Sequence, residues 1–151
     1  MRRIAAHEVK RTMKLSTRAR YGIHAMFYLA QHAGEPPQPL KTIADSEGIP
    51  EPYLEQLMSL LRRDGLVLSA RGAQGGYTLS AAPGDISIGR ILRALEGSLA
   101  PVSCLENDDA CGKTCDCASR LVWRRLQTSI EQAMDAMTLS DMLNDYKGLH
   151  N

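Results

Sequence analysis

Apolar residues recur along this chain with two different periods, and the change of period divides it. Between Ser16 and Ala33, the residues Ile23, Met26, Phe27 and Ala30 fall at i, i+3, i+4 and i+7, which sets them on one helical stripe. Ser16 is placed to cap that helix and Gly34 to stop it. The Glu35-Pro36-Pro37-Gln38-Pro39 stretch cannot continue it, because proline lacks the N–H that a helix interior needs. A shorter helix is predicted around Leu40 to Ser46, with Leu40, Ile43 and Ala44 inward and Gly48 at the turn. Pro50 and Pro52 stand where a first helical turn tolerates proline. From Tyr53 to Asp64 the stripe returns as Leu54, Leu57, Met58 and Leu61, and Gly65 ends it.

After Gly65 the pattern becomes short and extended. Residues 66–71 and 77–80 flank Gly72-Ala73-Gln74-Gly75-Gly76, which reads as a two-stranded hairpin with a flexible tip. Ser87 then caps a helix with Ile88, Ile91, Leu92 and Leu95 inward, closed by Gly97. Residues 98–117 have no regular period. A long amphipathic helix is predicted from about Ser119 to Met137, with Val122, Leu126, Ile130, Ala133 and Met137 on one stripe. It is too long to bury against one small domain, so the stripe reads as a dimer seam, packing back on the first helix being the alternative. Thr138 to Leu143 reads as a short recapped turn, and 144–151 as a frayed tail.

Three helices followed by a hairpin is the order of a winged helix-turn-helix. The expected fold is therefore mainly α with a small β-hairpin wing, plus a long C-terminal dimerisation helix. It divides into an N-terminal extension at 1–12, expected to be flexible, a winged head at 13–97, a cysteine-rich loop at 98–117, the dimerisation helix at 118–143 and the tail.

Composition supports one folded domain with an appended arm: 151 residues, 44% apolar and 23% charged, can bury a core. Only 5% is aromatic, so that core must be Leu, Ile, Ala and Met, which favours helix packing over a β-sandwich. The net charge of +1 conceals a basic end, because Arg2, Arg3, Lys10, Arg11, Lys14, Arg18 and Arg20 face only Glu8 within residues 1–33. Such an end suits a polyanion, or is a solvated tail. No run is long and apolar enough for a bilayer span, and Met1 to Thr12 lacks a signal peptide's apolar centre, so a cytoplasmic protein without membrane contact is expected.

In a helix-turn-helix the second helix of the pair enters the major groove. Here that helix offers Glu51, Tyr53, Glu55, Gln56, Ser59, Arg62 and Arg63 outward. Gln56 and Ser59 can hydrogen-bond base edges, Glu55 can accept from a cytosine amine, and the arginines can reach guanine or phosphate. Arg71 adjoins the glycine-rich tip, where it suits a narrow minor groove. The tip is no phosphate-cradling loop, because no Gly-Lys-Ser/Thr sequence and no immediate helix follow it. Cys104, Cys111, Cys115 and Cys117 crowd into one segment, spaced Cys-x6-Cys-x3-Cys-x-Cys, which reads as a metal, iron–sulfur or redox site rather than structural stapling. His24 and His32 read as helix-surface or packing residues, and His7 and His150 fall in expected tails. The seven methionines read as core filler. No enzyme signature and no small-molecule substrate motif stands out.

Lys14-Leu15-Ser16-Thr17-Arg18-Ala19-Arg20-Tyr21, Tyr53-Leu54-Glu55-Gln56-Leu57, Arg71-Gly72-Ala73-Gln74-Gly75-Gly76-Tyr77 and Cys117-Ala118-Ser119-Arg120-Leu121-Val122-Trp123 together resemble the Rrf-two family of bacterial transcription regulators, over about residues 13–143. The resemblance implies a homodimer with two winged heads on crossed long helices, bound to a double-stranded DNA operator. It puts base reading on 51–63, with Glu55 and Gln56 at base-contact positions and Arg71 in the minor groove. Family members usually begin where Met13 stands. In the cluster-binding branch three loop cysteines hold an iron–sulfur cluster; Cys104, Cys111 and Cys117 match them, and a [2Fe-2S] cluster is expected ahead of a [4Fe-4S] one. Arg120 stands where the cluster-assembly regulator has a histidine ligand, and Arg20 where the nitric-oxide sensor has an aspartate. Cys115 is then either the fourth ligand or a spare thiol. The alternatives are a cluster-free thiol switch and a zinc-binding protein-interaction module.

Overall fold

A computed structural model describes residues 15–99 and 118–151. Six helices and one hairpin follow in the order α1 (Thr17–Gln31), α2 (Leu40–Glu47), α3 (Glu51–Arg63), β1 (Val67–Ala70), β2 (Gly76–Leu79), α4 (Ile88–Glu96), α5 (Ala118–Ala136) and α6 (Leu139–Leu149), with a 3-10 turn at Pro83–Asp85 before α4. This is the expected mainly helical architecture with a wing. Ser16 caps α1 by accepting from the Ala19 amide, and Ser87 caps α4 by accepting from that of Arg90. Each cap satisfies an amide that the helix itself leaves unpaired.

The core gathers α1, α3 and α4 around Ala25, Met26, Leu29, Leu54, Leu57, Met58, Leu61, Ile91 and Leu95, with Ile43 of α2 and Leu139 of α6 closing it. A smaller cluster joins Ala19, Leu92 and Met134, with Ile130 partly buried beside it. It fastens the C-terminal end of α5 to α1 and α4. There the Arg93 guanidinium grips Asp135 with two hydrogen bonds, of 2.6 and 3.0 Å. Gly89 lies beneath this pair, and a Cβ on it would collide with the Asp135 carboxylate.

The C-terminus departs from expectation. The break after α5 falls where the recapped turn was expected, at Thr138, but the chain then stays helical to Leu149, so the stretch from 144 to 149 is helix rather than frayed tail. The break is built in two ways. Thr138 and Asp141 form a reciprocal capping box, the Thr138 side chain accepting from the Asp141 amide while Asp141 accepts from the Thr138 amide. The junction is also sewn to the start of α4, since Ile88 N–H donates to Met137 and Leu139 N–H donates to Ile86. The second half of α6 is held by packing that links residues far apart in sequence: Tyr146 meets Phe27 edge to face at 5.3 Å.

Candidate nucleic-acid interface

The pair α2 and α3 is joined by Gly48-Ile49-Pro50. Gly48 takes the left-handed conformation at φ 65°, Ile49 donates its N–H to Ala44, and the Ile49 side chain is buried. A three-residue turn anchored by one apolar side chain fixes the angle between the two helices. Leu54, Leu57, Met58 and Leu61 turn α3 inward, so Glu51, Glu55, Gln56, Ser59, Arg62 and Arg63 are exposed along its other face. The N-terminus of α3 has no side-chain cap, which leaves amides and the positive end of the helix dipole unclaimed by the protein.

Three of the side chains expected to face outward from this helix are partly committed elsewhere. Tyr53 is half-buried, packs on the core and meets Tyr21 edge to face at 5.8 Å, so its ring supports the helix more than it faces outward. Ser59 donates its hydroxyl to the Glu55 carbonyl at 3.0 Å, which leaves it only acceptor capacity toward a base. Arg63 donates Nε to Asp64 at 3.3 Å. Glu55, Gln56 and Arg62 make no side-chain hydrogen bond or ion pair to another described side chain, so they offer the most open polar face.

The wing follows α3 directly. Leu66 N–H donates to Leu61, Leu66 and Val67 are buried, and β1 pairs antiparallel with β2 in the register Val67 to Leu79 through Ala70 to Gly76. Arg71 is exposed at the start of the tip, which closes with a Gly75 to Gly72 hydrogen bond. The basic N-terminal end is reduced in one respect: Arg18 donates to the Leu95 carbonyl at 3.0 Å and so serves to lock α1 against α4. Arg20 is exposed, and Arg2, Arg3, Lys10, Arg11 and Lys14 lie outside the described residues.

Cys104, Cys111, Cys115 and Cys117 also lie outside the described residues. Among the described residues no three His, Cys, Asp or Glu side chains gather to hold a metal ion. His24 faces Glu47 at 3.4 Å, and His32 faces Glu35 at 2.7 Å while its ring lies on Tyr28. Both are surface or packing histidines, as expected. No helix of the described residues is long and apolar enough to cross a membrane.

The Rrf2 family model, described as an iron-dependent transcriptional regulator, matches residues 15–145. The chain belongs to the Rrf2 family. It is 44% identical over 130 residues to the transcriptional regulator CymR of Bacillus subtilis, covering 86% of this chain and 89% of that one. Among solved structures it is similar to IscR of T. potens, at 49% identity and a TM-score of 0.73, covering 88% of each chain. It is also similar to the oxidized form of Staphylococcus aureus CymR, at 35% identity and a TM-score of 0.68, over 85% of this chain and 94% of that one. As a member of the Rrf2 family the chain is a DNA-binding transcriptional regulator, and the relatives named are regulators rather than enzymes.

Proposed function

We propose that this Rrf2 regulator works in the cytoplasm as a homodimer, each head reading half of a palindromic operator, with affinity set by an iron–sulfur cluster on the cysteine segment. The observation that carries this reading is the state of α5. It begins at Ala118, directly after Cys117, and its first turns leave Leu121, Val122 and Leu126 at 62%, 53% and 43% exposure. An exposed apolar stripe of this kind is what a second copy covers. Glu55, Gln56, Arg62 and Arg71 supply the base and groove contacts, with Ser59 and Arg63 beside them and Tyr53 supporting.

The ligands are Cys104, Cys111 and Cys117, with Cys115 as the fourth, and [2Fe-2S] is the expected form. Four thiols are a soft donor set, which suits such a cluster, and when bound it supplies a redox- and oxygen-sensitive crosslink across the loop. The chain's own part is mechanical. The loop joins the end of α4 to the start of α5, so its ordering biases how α5 leaves the head. The description of the family as iron-dependent supports the cluster.

The second reading is a cluster-free thiol switch, favoured by the B. subtilis relative being a global cysteine regulator and by the existence of an oxidized form of the S. aureus one. Anaerobic purification decides between them. Iron and acid-labile sulfide with a visible chromophore, lost in Cys104→Ala, Cys111→Ala and Cys117→Ala, is the expected result. Colourless protein with reversible disulfide formation would establish the thiol switch, and stoichiometric zinc without sulfide the zinc module.

A further inference from the structure

We propose that Gln38, in the linker between α1 and α2, is a positioning residue that sets the aim of the wing by tying β2 to Tyr28 of α1. The proposal rests on Arg71 being the wing's DNA contact. A hairpin with four-residue strands is marginal alone and free to pivot at its base. Here it is not alone. Gln38 donates its N–H to the Tyr77 carbonyl at 2.9 Å, and Tyr77 donates back to the Gln38 carbonyl at 2.8 Å.

The local sequence allows this bridge in one register only. In Pro36-Pro37-Gln38-Pro39, Gln38 alone has a backbone N–H to give. Gly76 completes the approach, because a Cβ there would collide with the Gln38 carbonyl group. The side chain then carries the tie to the head. Its Oε1 accepts from the Tyr28 hydroxyl at 3.3 Å, and its Nε2 donates to the Pro36 carbonyl at 2.9 Å. Tyr28 is buried in α1 with its ring against His32 at 4.3 Å, so it is a fixed post. The run from Tyr28 through Gln38 to Tyr77 spans from the core helix to the strand that follows the tip bearing Arg71. Loss of the amide leaves the hairpin paired but lets its base drift, which misplaces Arg71 without touching DNA.

The test uses full-length protein and a duplex enriched by that protein from a random-sequence library. Affinities of the parent, Gln38→Ala, Tyr28→Phe, Arg71→Ala and Gln38→Ala/Arg71→Ala are measured by anisotropy at fixed salt, with hydroxyl-radical footprints. Gln38→Ala and Tyr28→Phe should each weaken binding roughly three- to tenfold, the range for one lost hydrogen bond. They should also lose protection at the minor-groove ends of the footprint while keeping it in the major groove. The double variant should bind like Arg71→Ala alone, because the tie acts through that arginine. Tyr28→Phe removes only a hydroxyl, so it reads the tie without opening the core. Multiplying effects in the double variant would overturn the proposal while leaving Arg71 a DNA contact. Parent-like binding by Arg71→Ala would overturn both.

Discussion

In α3, Leu54, Leu57, Met58 and Leu61 are almost completely hidden, whereas the longer α5 buries Met134 and leaves Leu121, Val122, Trp123 and Leu126 in contact with solvent. Both helices are amphipathic, so the difference lies in what each stripe meets. The stripe of α3 meets α1, α4 and the wing, and together they close a core. Among the described residues, the stripe of α5 meets its own head through Ile130, Met134 and the Arg93–Asp135 pair, toward its C-terminal end. The head's core is closed by its own helices together with Leu139 of α6. The long helix is fastened to the head toward its C-terminal end and leaves Leu121, Val122 and Leu126 exposed toward the other, the end that the cysteine segment joins.

The sharpest way to break this comparison is to remove one apolar side chain from each region. Leu57→Ala should cost about 2–5 kcal/mol, the usual penalty for a buried leucine cavity, and should appear in urea denaturation regardless of protein concentration. Leu126→Asp should leave the head folded but convert a dimer to monomer in light scattering, with operator binding falling steeply because half-sites are no longer linked. A Leu126→Asp protein that stays dimeric would move the seam away from this stripe.

Thr138→Ala removes the side chain that starts α6 and should cost about 1 kcal/mol, read as a lowered unfolding midpoint. A smaller effect concerns the joint between the two regions. The hydrogen-bonded Arg93 guanidinium holds the Asp135 carboxyl below the usual carboxylate range. A group depressed in this way adds stability above its unfolded pKa, and the contribution is lost as pH falls through the folded value. Asp135→Asn should therefore be slightly less stable than the parent near neutrality, the gap closing below the usual carboxylate range. A gap that persists unchanged in acid would assign the effect to something other than this pair.

The head was largely legible in the sequence because its signals are local. Ser16, Ser87, Gly34, Gly48, Gly65 and Gly97 punctuate helices whose stripes can be counted, and the hairpin is bounded by its own glycines. What escaped is long-range. The capping box at Thr138 was visible as a recapped turn, but the helix it starts is stabilised by Tyr146 on Phe27, a contact no local pattern announces. Ile130 belongs to the predicted seam by spacing yet packs on its own head, whereas Leu121 and Trp123, omitted from that seam, are exposed. Arg18 counted toward a basic surface and instead binds the Leu95 carbonyl, while Ser16 caps α1 and also donates to Glu96 at the end of α4. On the face of α3 proposed to read DNA, Tyr53 counts outward by position, although its ring is large enough to reach Tyr21 and the core. Gln38 sits in a proline-rich linker, where its sequence signal is to be the one residue of Pro36-Pro37-Gln38-Pro39 that has a backbone N–H.

On the proposed function, the cysteine segment reports to the winged heads through α5. Matched anaerobic apo and cluster-bound samples, titrated at fixed salt against one operator duplex, test it most directly. The two forms should differ in affinity by roughly 5- to 150-fold, the range that a coupling of about 1–3 kcal/mol supplies. Equal affinities across a panel of selected operators would mean that whatever the cysteines bind, the heads do not sense it.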